Sequence, residues 1–449
     1  MKRQLLLVIC AVILTPCLIN AQGAKPAWKA GTARIVITPE KNLWMAGYAA
    51  RTKPADGKFH DLYAKALAIA DGRGNRAVIV TTDLLGIPGA LAAAVAAAVE
   101  KKHQLPRASL ALTSSHTHTG PVIRASLMGA YALGAGHVAD IDEYSRQLLE
   151  KLVTVIGQAL ADMRPAVLSF GRGEARFGAN RRKREIAPKD DDVPALRVDG
   201  ADGKLRAALF SYACHNTTLT GEFYQYSGDY AGFAQAEFEK ANPGAMALFM
   251  MGCGADINPD PRSSLDLATR HGNELAAAVN KTINGQLTPV RGALKTAFAQ
   301  IPLQIAAPTR AEFQTRVEDK DKYRRAHAIR WLERMDRDGK IMTEYPYPVQ
   351  VMQLGDGLTL VTLGGEVVVD YALRLKRELG ADGLWVAGYS NDVMAYIPSV
   401  RILNEGGYEA EGAMIYYDLP GPWKPEVEER IIDKVRELAR KTGRKGSVK

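Results

Sequence analysis

Three times this chain runs an apolar strand into a Gly/Asp-rich turn and returns on a second apolar strand that stops at an ionisable residue. Ala64 to Ala70 is followed by Asp71-Gly72-Arg73-Gly74-Asn75 and by Arg76 to Asp83. Leu196 to Val198 leads through Asp199-Gly200-Ala201-Asp202-Gly203 into Leu205 to His215. Val349 to Leu354, Gly355-Asp356-Gly357 and Leu358 to Glu366 follow the same plan. Apolar, β-branched runs separated by such turns are hairpins. Between them lie an Ala-rich helix, Pro88 to His103, and a strand, Ala108 to His116. Further on come an apolar strand from Ala245 into a Gly-rich turn at Asp256, helices over 266–279 and 367–379, a strand at 383–392 and a closing helix over 425–441. Strands alternating with helices and hairpins predict an α/β fold, with mixed β-sheets flanked by helices. Residues 22–60 read as irregular, and the charge-dense stretch 310–340 reads as a surface helix with a solvated face.

The polar residues that end these strands are Asp83, His116, His215, Asp256 and Glu366. Open α/β sheets bind ligands beyond the carboxyl ends of their strands, so a site is expected there. The stretch Leu112 to Pro121, LTSSHTHTGP, places His116 and His118 one residue apart, two of only eight histidines in the chain. Two histidines and a carboxylate from separate strand ends form the donor set of a catalytic Zn²⁺ site, which keeps a position open for water. Ca²⁺ and Mg²⁺ take oxygen donors instead. Residues i and i+2 of a strand face the same way, but the Gly120-Pro121 turn follows at once. Either both rings ligate, or one ligates while the other holds substrate or carries protons. The remaining histidines, His60, His103, His137, His271 and His327, read as surface or hydrogen-bonded residues. On residue type alone Asp256 is a turn residue, Glu366 a helix-terminal carboxylate and Tyr396 a core residue.

Lys2 and Arg3 precede the apolar run Leu5 to Leu14, and Asn20-Ala21-Gln22 offers a small residue for cleavage. Residues 1–21 are therefore expected to be a signal peptide, and the mature protein to be secreted or periplasmic. The net charge of +9 becomes +7 once Lys2 and Arg3 are removed (9 − 2), and it is diffuse. No aromatic-basic platform accompanies it, which argues against nucleic acid as a partner. The two cysteines left, Cys214 and Cys253, form a disulfide or stay buried.

Six stretches, in one order across residues 32–415, resemble motifs of the neutral/alkaline non-lysosomal ceramidase family. HTHTGP at His116 resembles that family's His-Thr-His-Ser-Gly-Pro, and ANRR at Ala179 resembles its Asn-Arg motif. ACHNTTLTG at Ala213, with SGDYAGFA at Ser227, resembles its His-Gly-Thr segment and Ser-Asp-Asn-Lys-Gly-Tyr. GADINPD at Gly254 resembles Gly-Asp-Val-Ser-Pro-Asn, and GGEVV at Gly364 resembles Gly-Glu-Phe-Thr-Thr. SNDVMAYIPS at Ser390 and GGYEAEG at Gly406 resemble its Tyr-Val-Thr-Thr stretch and the Tyr-Glu-Gly that follows.

The resemblance implies a zinc-dependent amidase acting on a small-molecule or lipid amide such as ceramide, with peripheral membrane contact, and leaves the oligomeric state open. Carried over by position, it implies His116, His215, Glu366 and Tyr396 as metal ligands. It implies His118 as the group that stabilises the oxyanion or shuttles protons, Arg181 as a contact to the substrate's polar groups, and Tyr408 as a neighbour of the metal and the amide. Where the family carries a serine ahead of its Gly-Asp stretch, this chain has Gly252. Attack by metal-activated water is then expected, with Cys253 facing away and the space at Gly252 open to a different substrate group. Residues 22–449 are expected to form one catalytic domain, without the family's C-terminal immunoglobulin-like domain. Two alternatives remain: a zinc hydrolase on a different amide or ester, and a non-catalytic lipid- or glycan-binding relative.

Overall fold

A computed structural model describes residues 28–182 and 186–444; the signal-peptide expectation at 1–21 lies outside the described residues. Two sheets stack face to face. The larger has nine strands and the smaller four, so the mixed α/β architecture expected from the sequence is the one observed. Between them lies a core that includes Leu67, Ile79 and Leu209 on one side and Met352, Leu360 and Trp385 on the other. Helices Gly89–His103 and Ala135–Ala161 cover part of the outer face of the larger sheet, and helices Asp229–Ala241 and Leu265–Ile283 cover the rest. Helices Val369–Leu379 and Val427–Thr442 cover the outer face of the smaller sheet.

The period of two decides which residue goes where. In strand Tyr63–Asp71, Ala64, Ala66 and Ala68 meet the helices while Leu67 and Ile69 meet the second sheet. In strand Leu358–Leu363, Val361 and Leu363 meet helices while Leu358 and Leu360 meet the first sheet. Small alanines on the helix side of Tyr63–Asp71 leave room for Tyr144, Leu148, Leu152 and Val155 of helix Ala135–Ala161.

Three parallel strand pairs aim their carboxyl ends at one region. They are Arg76–Thr82 with Leu110–Ser114, Leu205–Tyr212 with Met246–Met251, and Leu358–Leu363 with Leu384–Ala387. Isolated bridges Thr113↔Ser390 and Gly252↔Ala387 join the ends of the two sheets. Among the described residues no helix is long and apolar enough to cross a membrane.

Two regions differ from the sequence reading. Residues 22–60 are not wholly irregular, because Trp28–Val36 forms a strand paired along its whole length with Tyr63–Asp71. Gly31 breaks its apolar pattern, and a side chain there would come within 2.2 Å of the Ala159 carbonyl, so glycine lets helix and strand approach. The stretch 310–340 is two helices, Arg310–Arg316 and Lys322–Asp338, and it has a core of its own in Phe313, Ala328 and Trp331.

Candidate metal centre and its cavity

His116 lies two residues past strand Leu110–Ser114, in the left-handed conformation at φ 58°. That conformation is strained for a side chain with a β-carbon. It turns the chain so that His116 and His118 reach the same point, with rings 4.8 Å apart. Gly47 makes room, since a β-carbon at that position would come within 2.3 Å of His118 Nδ1. His215 follows strand Leu205–Tyr212, and its backbone N–H donates to the Ile257 carbonyl at 2.9 Å. Glu366 and Tyr396 face each other as the first residues of a short parallel pair, Glu366–Val367 with Tyr396–Ile397.

Carbonyl oxygens only accept, which settles two tautomers. His116 Nδ1–H donates to the Leu85 carbonyl at 2.6 Å, and His215 Nδ1–H donates to the Gly254 carbonyl at 3.0 Å. In the neutral rings both Nε2 atoms are then bare lone pairs, and they lie 3.2 Å apart. Glu366 Oε2 is 3.1 Å from each, Tyr396 Oη is 3.2 Å from His215 Nε2, and His118 Nε2 is 3.1 Å from His116 Nε2. All but His118 are buried. Glu366 Oε2 has no hydrogen-bond partner, while Oε1 accepts from the Tyr417 hydroxyl. Buried acceptors pointed at one another are costly, about 1–3 kcal/mol for each left unsatisfied. A cation at their centre removes that cost. Ligands at 2.0–2.2 Å around a tetrahedral ion stand about 3.3–3.6 Å apart, close to the spacing found here.

Burial lowers the pKa of the His118 ring well below its ordinary value and takes His215 down to about 4. Burial works against the charge on Glu366, but with a proton on the rings facing it their charge and hydrogen bonds outweigh that and hold its carboxyl well below the usual range.

Arg181 backs Tyr396. Its Nη2 donates to the Tyr396 hydroxyl at 3.1 Å, its Nε to Glu409 at 2.7 Å and its Nη1 to Asn258 at 3.4 Å. Its guanidinium lies 5.6 Å from the ring centres of both Tyr396 and Tyr408. Asp83 and Asp256, the other two strand-end carboxylates, are held elsewhere. Asp83 accepts from Tyr63 N–H at 2.9 Å. Asp256 accepts from Val369 N–H, at the start of helix Val369–Leu379, and from the Asn180 side chain, both at 2.9 Å.

The centre opens onto a cavity of about 330 Å³, walled by Tyr48, Tyr131, Tyr323, Tyr408, Tyr416 and Tyr417, with His118, Glu366 and Tyr396 reaching into it. Tyr417, Glu409 and Asn258 carry no site signal in the sequence, and Tyr323 reads there only as part of a surface helix. Tyr323 and Glu409 sit on helical segments, Tyr417 on a turn and Asn258 inside the short strand Ile257–Pro259, so none closes a long apolar strand.

Cys214 and Cys253 are free and buried. Cys253 packs among Tyr347, Val349 and Val367 in the apolar core beneath helix Val369–Leu379, where burial pushes its pKa up. Gly252 does not open space for substrate. A β-carbon there would stand 3.0 Å from Cα and Cβ of Ala213, so the missing side chain faces packed backbone.

Residues 28–300 match a family model described as neutral/alkaline non-lysosomal ceramidase, N-terminal. The neutral ceramidase of Pseudomonas aeruginosa is 25% identical over 253 residues, 52% of this chain and 37% of that protein. Neutral ceramidase B of Dictyostelium discoideum is 26% identical over 244 residues, 49% of this chain and 33% of that protein. The matched stretch thus spans about a third of these relatives' length. The crystal structure of the Pseudomonas aeruginosa neutral ceramidase superposes with a TM-score of 0.73 at 20% identity, covering 92% of this chain and 74% of that one. A ceramidase complexed with C2 superposes with the same TM-score at 19% identity, covering 95% and 77%. At such identities the likeness is one of fold.

Proposed function

Because residues 28–300 of 449 match its model, the chain belongs to the neutral/alkaline non-lysosomal ceramidase family, and on that premise we propose that it is a zinc-dependent amidohydrolase. Its substrate is an N-acyl amide, ceramide or a relative of it. Water adds across the scissile bond, the C–N bond breaks, and a carboxylic acid and an amine leave. The observation that carries this reading is the pair of bare imidazole lone pairs 3.2 Å apart with a buried carboxylate oxygen 3.1 Å from each. Imidazole, carboxylate and phenol donors suit zinc better than calcium or magnesium. His116, His215, Glu366 and Tyr396 are assigned to hold the ion. When bound, zinc supplies a Lewis acid beside the amide carbonyl and acidifies water towards neutrality.

The chain's own groups divide the remaining work. The Leu85 and Gly254 carbonyls pin the proton of His116 and His215 on Nδ1, as outer partners of metal-ligating histidines do. His118 Nδ1 has no such partner, so His118 is the ring that holds or passes a proton at Nε2 towards the amide. Arg181 orients Tyr396 through its 3.1 Å hydrogen bond. Tyr408, with its ring centre 5.3 Å from that of Tyr396, borders the amide's position. Export after cleavage near Gln22 belongs to the same reading; exported protein that still begins at Met1 would refute it.

Metal analysis of the purified protein and a panel of N-acyl amides, ceramide among them, test the reading together. One zinc per chain and chelator-sensitive release of amine are expected. Zinc-loaded protein that cleaves no amide sinks it. The small cavity favours a second reading, a zinc hydrolase on a more compact amide or ester than ceramide, which cleavage of short but not long substrates would support.

A further inference from the structure

The cavity beside the metal centre is lined on one side by a side chain from the helical pair 310–338. Tyr323 stands near the start of helix Lys322–Asp338. Its hydroxyl donates to the Ala49 carbonyl at 2.7 Å, which ties that helix to the loop on the opposite wall. Its ring centre is 5.4 Å from that of Tyr416, which in turn is 6.3 Å from that of Tyr408. The three rings form a partition. Outside it lies a second groove of about 520 Å³, which shares Tyr408 and Tyr416 with the cavity and is lined by charged residues, Arg316, Asp321 and Glu411 among them, beside Met414 and Ile415. Inside it, the about 330 Å³ cavity has no Lys, Arg or Asp among its lining residues. A cavity of about 150 Å³ holds one benzene ring, so the inner space has room for roughly ten to fourteen non-hydrogen atoms.

We propose that Tyr323 sets substrate length: the inner cavity takes a compact, uncharged acyl group, and the Tyr323 ring, beside Tyr416, bounds that cavity where a longer acyl chain would need to pass. This assignment rests on the amidohydrolase reading and adds the substrate class. It also gives the helical pair a part in selection, through one ring with one face in the cavity and a hydroxyl that holds the far wall.

The test uses two acyl series of increasing length, from two to sixteen carbons. One is of N-acyl amides with a single amine, read as kcat/KM. The other is of acyl hydroxamates, which bind a metal centre without turnover, read as Kd by calorimetry. The whole protein should favour acyl groups of about eight carbons or fewer over sixteen by at least about tenfold in both series. Tyr323→Ala should shrink that preference about tenfold, and Tyr323→Phe, which keeps the ring and loses the tie to Ala49, should largely retain it. Tyr416→Ala opens the same partition from its other side and should act like Tyr323→Ala, so a folding defect in one variant leaves the other to decide. An unchanged length preference in both alanine variants overturns the proposal, as does a whole protein that prefers sixteen carbons. Graded hydroxamate binding without cleavage of any amide would remove the hydrolase reading and leave the length gate standing. Absence of hydroxamate binding to the whole protein would overturn both.

Discussion

Glu366 and Asp256 look alike in the sequence and behave oppositely in the fold. Each is a carboxylate that follows a strand and a glycine turn, and each is almost wholly buried. Asp256 spends both oxygens on hydrogen bonds, with Val369 N–H and Asn180 Nδ2 each at 2.9 Å. Its charge ties a helix start to a short strand pair. Glu366 leaves Oε2 without a partner, 3.1 Å from two imidazole nitrogens that themselves have no proton to give. Burial at a strand end is common to both. What separates a structural carboxylate from a site is whether its acceptors are satisfied within the chain.

The largest effects should come from breaking the unsatisfied set. His116→Ala and His215→Ala each remove one of the facing lone pairs, and both variants should lose bound metal and all measurable activity together. His118→Ala should differ in kind: metal stays near one ion per chain by elemental analysis, while kcat falls about 10²–10³-fold. His118 reaches the same centre, 3.1 Å from His116, but no carbonyl fixes its second nitrogen. Equal loss of metal in the His116 and His118 variants would mean that His118 is a ligand, and the contrast between the pinned and unpinned rings would fall.

The satisfied carboxylate should yield a stability effect without a chemical one. Asp256→Ala leaves the Val369 N–H and the Asn180 amide without their acceptor, a loss of about 2–4 kcal/mol, with metal retained. A pH series sharpens this. Burial pushes the Asp256 carboxyl up to about 6, above the unfolded value of about 4. The folded chain therefore binds that proton more tightly than the unfolded chain does. Its stabilising effect is complete below about pH 4 and is lost as the pH rises through about 6. Denaturant unfolding between those pH values should show a steeper fall for the natural chain than for Asp256→Ala. Equal slopes would show that Asp256 does not titrate there.

The sequence made some of this contrast readable. His116, His215 and Glu366 stand out because apolar, alternating runs end on them, and period-two burial sends those runs into the sheets. The same logic promotes Asp83 and Asp256 equally, because a strand end says nothing about hydrogen-bond partners many residues away. Tyr396, Arg181 and Tyr408 were reached only through family resemblance. Tyr396 starts a two-residue strand, Tyr408 starts the short helical turn Tyr408–Gly412 and Tyr417 lies on the turn after it, where an aromatic residue reads as core. The 27-residue helix Ala135–Ala161 carries a buried stripe from Ile141 to Ala159. Its spacing is helical, but no strand end or turn signal inside it marks a site. The role of Gly252 was misjudged for a different reason: which way a missing side chain would point depends on Ala213, a neighbour that only folding supplies.

The smallest effect should come from Cys253, one residue beyond Gly252 on the same turn that carries Asp256. Its neighbour Gly254 supplies the carbonyl that pins His215, so the thiol is near the chemistry in sequence. It is not near it in environment. It belongs to the apolar core with Tyr347, Val349 and Val367, and burial raises its pKa, so the thiolate needed for nucleophilic attack is disfavoured. Cys253→Ala deletes one buried sulfur from an apolar site, a loss of about 1 kcal/mol in packing. Metal content and kcat should stay within about twofold of the natural chain, well short of the tenfold that 1.36 kcal/mol of barrier represents. A Cys253→Ala variant that keeps its fold and metal but loses turnover would make the thiol catalytic. It would also show that a buried thiol whose thiolate is disfavoured by burial can still act at this site.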